Sequence, residues 1–133
     1  MKTCLYLDDE KTPIEILDGY SNWNIVRNYE EFVDYIKRNG VPDYISFDHD
    51  LALEHYLDYS TNCCIINYDE FEEKTGFDCA KWLVEFANEH QLDIKSVGVH
   101  SFNSIGNDNI LQVINNYKAY KGQVPDAIIK FIK

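Results

Sequence analysis

The sequence predicts an α/β fold built on a parallel sheet of about five strands, covered on both faces. Short apolar segments alternate with longer stretches whose apolar residues recur at helical spacing, the pattern of strand–helix–strand units. The chain has 133 residues, of which 45% are hydrophobic and 14% aromatic, enough for one globular domain spanning 1–133 with a substantial core. Several apolar segments also end abruptly in acids or histidine, as strands do where a sheet edge carries a ligand site.

The first strand is "CLYL" (4–7), followed at once by Asp8, Asp9 and Glu10. "KTPIEILDGY" reads as a loop with one helical turn after Pro13. "WNIVRN" (23–28) is the second strand. A helix follows, because Tyr29, Phe32, Val33 and Ile36 share one face, Asn28 can cap it, and Gly40 and Pro42 stop it. "YISF" (44–47) is the third strand and ends in Asp48, His49 and Asp50. Residues 52–75 have weak periodicity and many tyrosines and acids. They read as a long excursion, with "CCII" as a short extra strand; an ordered loop of that length is usually functional. Cys79, Trp82, Leu83, Phe86, Ala87 and His90 form the clearest helical stripe, with Asp78 as its cap. "SVGVHS" (96–101) is the fourth strand, carrying His100 and Ser101 at its end. Gly106 to Asp108 open another helix, with Ile110, Leu111, Ile114 and Tyr117 inward and Gly122 closing it. "AIIKFI" (127–132) fits either a fifth strand or a last helical turn.

Composition excludes several classes of function. The formal charge is −11, from 23 acids against 12 bases, so no basic footprint for extended nucleic-acid binding exists. No apolar run is long enough to span a membrane. "MKTCLYLDDE" lacks the apolar stretch of a signal peptide, so a cytoplasmic location is expected. Cys4 and Cys79 sit in apolar patterns as buried thiols, and the adjacent Cys63 and Cys64 give neither a disulfide framework nor a zinc site.

Three strands therefore deliver their most polar residues to one edge: Asp8 and Asp9, then Asp48, His49 and Asp50, then His100 and Ser101. Carboxylates crowded together repel, and each is expected to rise in pKa. A divalent cation relieves that repulsion, and an all-oxygen set suits Mg²⁺, Mn²⁺ or Ca²⁺. The histidines titrate near neutrality and can supply a general base and a general acid. Blander roles compete. Asp8 and Asp9 can be turn acids, His49 can bond a loop carbonyl, and Asn103 can cap the next turn. His90 suits a helix C-terminus, His55 is expected in solvent, Trp82 in the core, and Gly76 and Asp78 at a helix start.

The same residues carry a resemblance. "LDDEKTP" (7–13), "W…VRNYEEF" (23–32), "ISFDHDL" (45–51), "TGFDCAKWL" (75–83) and "VHSFNSIG" (99–106) stand in the order found in the cyclic-phosphate-processing receiver domains. The resemblance covers most of residues 4–118. It implies a doubly wound, receiver-like sheet of order 2-1-3-4-5. It also implies that Asp8 and Asp9 are the acidic pair that binds Mg²⁺, and that Asp48 stands where receivers accept a phosphoryl group. Ser101 matches the phosphate-binding hydroxyl residue, and His49, Asp50, His100 and Asn103 mark the cyclic-phosphate branch. Where members of that family often carry an arginine, this chain has Asn107, and Ala52 stands in place of a glycine. The receiver lysine has no secure match.

Together these readings lead to an expected metal-dependent phosphodiesterase, a hydrolase acting on a cyclic phosphate of a nucleotide or RNA end. Asp9 and Asp48, with Asp8 or Asp50, would hold Mg²⁺ or Mn²⁺. His49 or His100 would activate water, the other would protonate the leaving oxygen, and Ser101 and Asn103 would orient the phosphate. Two alternatives stand beside it: a receiver-like phosphoacceptor using Asp48, and a cyclic-nucleotide binder or sensor without turnover. The sequence leaves oligomeric state open.

Overall fold

The computed structural model describes residues 1–61 and 66–123, the side chains of 58–61 excepted. Strands β1 (Cys4–Leu7), β2 (Asn24–Val26), β3 (Tyr44–Phe47) and β4 (Ser96–Val99) form one parallel sheet in the order β2-β1-β3-β4. This is the doubly wound, receiver-like arrangement. The register sets Leu7 beside Val26 and Phe47, and Phe47 beside Val99, so β1, β3 and β4 end level with one another. The fifth strand expected over 127–132 lies outside the described residues, as does most of the "CCII" segment.

Helix α1 (Tyr29–Asn39) begins on Asn28, whose Oδ1 accepts the Glu31 N–H at 2.9 Å, and ends at Gly40, where φ is 82°. That left-handed conformation costs glycine little. The excursion contains helix α2 (Leu53–Thr61) and a 3₁₀ turn at Tyr68–Glu70. Helix α3 (Gly76–Glu89) starts three residues before the apolar stripe. Its cap is Thr75, and Asp78 returns a hydrogen bond to the Thr75 N–H at 2.8 Å, a capping box. Asp78 thus completes the cap from the first turn and is not itself the N-cap. Helix α4 (Ser104–Tyr120) likewise starts earlier than Gly106, because the Asn103 side chain accepts the Gly106 N–H. No helix forms after Pro13, where residues 11–19 run as turns and loop.

Both crossovers that carry α1 and α3 run in the same direction along the sheet, so their right-handedness places them on one face. There Leu5, Leu7, Ile45, Phe47 and Val97 meet Phe32, Ile36, Leu83, Ile110 and Ile114 in one buried core. The β1–β2 connection runs in the opposite direction and covers the other face. Among the described residues it does so without a helix. Trp23 packs edge-on against Tyr6 and Tyr44, and Tyr20 against Tyr44. No helix among the described residues is long and apolar enough to cross a membrane.

Candidate functional site

Side chains alternate along a strand. Continuing past the last pair, Asp8, Asp48 and His100 fall on the same face as Tyr6, Ser46 and Gly98, which lie side by side in the sheet. One ligand atom from each of Asp8, Asp48 and His100 lies within 4.8 Å of the other two, a spacing at which a metal ion can be held. Asp8 and Asp48 are buried, while His100 is partly open.

Each member is fixed by its neighbours. Oδ1 of Asp8 accepts the backbone N–H groups of Glu10 (2.9 Å) and Lys11 (2.8 Å), and its Oδ2 accepts from His100 Nε2 at 3.0 Å. The other ring nitrogen, Nδ1, takes the Ser46 hydroxyl at 2.7 Å, and the imidazole stacks on Tyr6 with centroids 4.3 Å apart. Ser46 is itself buried inside β3, so it orients the imidazole and is not exposed to attack anything. Arg27 clamps the loop after β1 by donating to the carbonyls of Asp8 (3.1 Å) and Lys11 (2.6 Å).

The carboxylates do not all shift the same way, as repulsion alone would have them do. Burial drives Asp48 upward, and the charges of Asp8, Asp9 and Asp50 add to it, so its carboxyl is pushed up to about 8. Burial also acts on Asp8, but the Lys11 and Glu10 N–H groups and His100 outweigh it and hold Asp8 below the ordinary range. The cluster thus relieves its repulsion by keeping one proton, on Asp48. Asp9 is raised, by burial first and then by Asp8. Its Oδ1 accepts the hydroxyl of Tyr56 from α2 at 3.1 Å, and it lies outside the 4.8 Å group.

His49 and Asp50 go elsewhere. His49 is one residue out of phase with Asp48 and turns into the helical layer, where only 1% of it is exposed. A Cβ on Gly106 would collide with its ring, so α4 approaches through a glycine. Asp50 accepts from His49 Nδ1 at 2.7 Å and from Asn103 Nδ2 at 3.1 Å. Nε2 of His49 then accepts the Tyr68 hydroxyl (2.9 Å), which accepts from Asn109 (2.9 Å). Every polar atom of the imidazole is used in this network. The pleat turns His49 away from the Asp8–Asp48–His100 cluster, and hydrogen bonds draw Asp50 and Asn103 to His49, apart from the group in which the sequence places them. Ser101 follows His100 in the chain; its Oγ accepts the Asn103 N–H at 2.9 Å, leaving the O–H to donate. Asn107 shapes this loop by donating to the Ser101 carbonyl at 2.8 Å.

His55, expected in solvent, is 1% exposed. Its Nδ1 accepts the Leu51 N–H and its Nε2 donates to the Glu73 carbonyl, both at 2.8 Å. With Glu54, which accepts from the Glu72 and Glu73 N–H groups, it ties the two ends of the excursion together.

A family model for the cyclic-phosphate processing receiver domain matches residues 3–116. The chain belongs to that family. The match takes in all four described strands and most of α4, and so the whole edge at which Asp8, Asp48 and His100 meet. No curated protein and no solved structure matches the chain.

Proposed function

We propose that this receiver domain is a metal-assisted phosphodiesterase that opens a cyclic phosphate of a nucleotide or an RNA end. The observation that carries this reading is the meeting of Asp8, Asp48 and His100 at the ends of three adjacent strands, with the imidazole bonded to a carboxylate. The donor set fits a divalent cation: two carboxylates, one of them, Asp48, pushed up to about 8 by burial and by its acidic neighbours. A bound ion would polarise the phosphoryl oxygen and neutralise charge that develops there.

The chain's own groups supply the remainder. In hydrolysis a water oxygen forms a bond to phosphorus, the ring P–O bond breaks and the departing oxygen takes a proton from an acid, while of the two water protons one stays on the new phosphate and the other restores that acid. His100 is the imidazole that faces this edge, and Ser46 and Tyr6 hold it so that Nε2 points among the carboxylates. It is assigned as the acid that protonates the leaving oxygen. The Ser101 hydroxyl, next in the chain to His100, is assigned to the phosphate. His49, Asp50 and Asn103 support the strand end from behind.

One observation favours a second reading, a binder without turnover: among the described residues a single imidazole faces the carboxylates, whereas ring opening needs both a base and an acid. Incubation with 2′,3′- and 3′,5′-cyclic nucleotides and Mg²⁺ or Mn²⁺ separates the two. Phosphomonoester product supports the phosphodiesterase, binding without product supports the binder, and neither binding nor product removes both.

A further inference from the structure

Among the described residues eight large hydrophobics are exposed, and six of them, Ile14, Ile16, Leu53, Tyr56, Leu57 and Phe102, follow the carboxyl ends of β1, β3 and β4 by no more than ten residues. Isolated exposed apolar residues need no explanation, but this concentration does. An acidic, metal-type cluster binding only a phosphate has no use for an apolar rim. Phe102 is the extreme case among the residues nearest the site. It follows His100 by two and Ser101 by one, and it is 85% exposed. The Lys11 ammonium stands 4.7 Å from its ring centroid. Lys11 is also the residue whose backbone N–H binds Asp8, so the ring lies within one lysine side chain of the metal-type cluster.

We infer that Phe102 is a stacking platform for the nucleobase of the ligand, with Lys11 supplying a cation for its phosphate. This rests on the cyclic-phosphate reading above and narrows it: the ligand is a nucleoside cyclic phosphate, not a cyclic phosphate without a base. The pairing suits such a molecule. A base has a π-face that stacks on an aromatic ring whatever its hydrogen-bonding edge, and a phosphate seeks the one kind of charge that a chain of net charge −11 supplies sparingly. Most of the Phe102 surface stays open beside Lys11, and the side chain has no packing role that would otherwise fix its identity.

The test measures dissociation constants in Mn²⁺ for adenosine 2′,3′-cyclic phosphate and for glycerol 1,2-cyclic phosphate, which lacks a base. Wild type, Phe102→Ala, Phe102→Tyr and Lys11→Gln are compared, with melting temperatures to confirm folding. Wild type should prefer the adenosine ligand. Phe102→Ala should weaken that ligand about 5- to 150-fold, the range of one base stacked on one ring, and leave the glycerol ligand unchanged. Phe102→Tyr should restore adenosine binding, and Lys11→Gln should weaken both ligands alike. Equal adenosine binding by wild type and Phe102→Ala overturns the platform and leaves the cyclic-phosphate reading standing. Equal weakening of both ligands by Phe102→Ala also overturns it. Failure of wild type to bind either ligand removes the cyclic-phosphate reading, and the platform with it.

Discussion

Asp48→Asn should stabilise the metal-free protein, and only above the pH at which free carboxyls ionise. Asp48 is buried beside Asp8, and its carboxyl titrates near 8 in the fold against an ordinary 3.8. Below 3.8 it carries a proton in the folded and unfolded states alike, so it makes no difference to stability there. As pH rises, the unfolded chain sheds the proton and the fold retains it, so folding is progressively penalised until about pH 8, where the folded carboxyl ionises too. By pH 7 the gap spans about three pH units, an upper bound of about 4 kcal/mol at 1.4 kcal/mol per unit. Water entry and carboxyl reorientation reduce this, so we expect about 2–3 kcal/mol, or a rise in melting temperature of roughly 10 °C at pH 7.5. The amide keeps an oxygen for the Asp50 N–H and brings no charge. The assay is thermal unfolding in chelator from pH 4 to pH 8.5. Curves for the two proteins should coincide at pH 4 and diverge steadily above it. A variant that melts lower than wild type throughout, or by an amount independent of pH, would show that Asp48 is held by structure and not strained by charge.

The same proton links metal to pH. Mn²⁺ or Mg²⁺ must displace it, so the apparent affinity, read from the rise in melting temperature, should weaken about tenfold per pH unit below 8; a pH-independent shift refutes ligation by Asp48. His100→Ala should cut turnover on the order of 10²–10⁴-fold, and also destabilise by about 1–2 kcal/mol, because the buried Ser46 hydroxyl loses its acceptor. Full activity per folded molecule would remove His100 from the chemistry. Gly106→Ala drives a methyl into the His49 ring and should cost about 1–3 kcal/mol in denaturant unfolding; an unchanged midpoint would show that α4 slides freely over β3.

Strand ends were legible because a run such as "YISF" stopped by "DHD" has one reading in a parallel sheet, and the family match covers those same segments. What the sequence hid depends on side-chain phase and on distant partners. Ser46 lay in an apolar run and passed as strand filler. The signal for it was there: a lone hydroxyl two residues before Asp48 shares its face. Tyr56 on Asp9 and Tyr68 on His49 could not be read, because they depend on how the excursion folds back, and its periodicity is weak. His55 was misplaced for the same reason. Its partners, Leu51 and Glu73, stand at opposite ends of that segment.

The motif "FDHDL" combines two structures with different physics. Asp48 takes the phase of Tyr6 and Ser46 and enters the charged cluster, where burial and the neighbouring carboxylates push its carboxyl up. His49 takes the opposite phase and meets glycines of α3 and α4. A Cβ at Gly76 would strike the Asp48 carbonyl, and one at Gly106 the His49 ring. The backbone of residues 48–49 is therefore gripped by two helix starts, and Asp50 and Asn103 complete the grip with hydrogen bonds. Such a grip matters because a buried carboxylate beside another tends to turn away or draw in water. Asp48 is set near Asp8 and His100 by a following residue that close helix packing and hydrogen bonds hold in place. The imidazole of His49 thus serves the site without touching it, which accounts for a histidine beside an aspartate where only one of the two faces the edge.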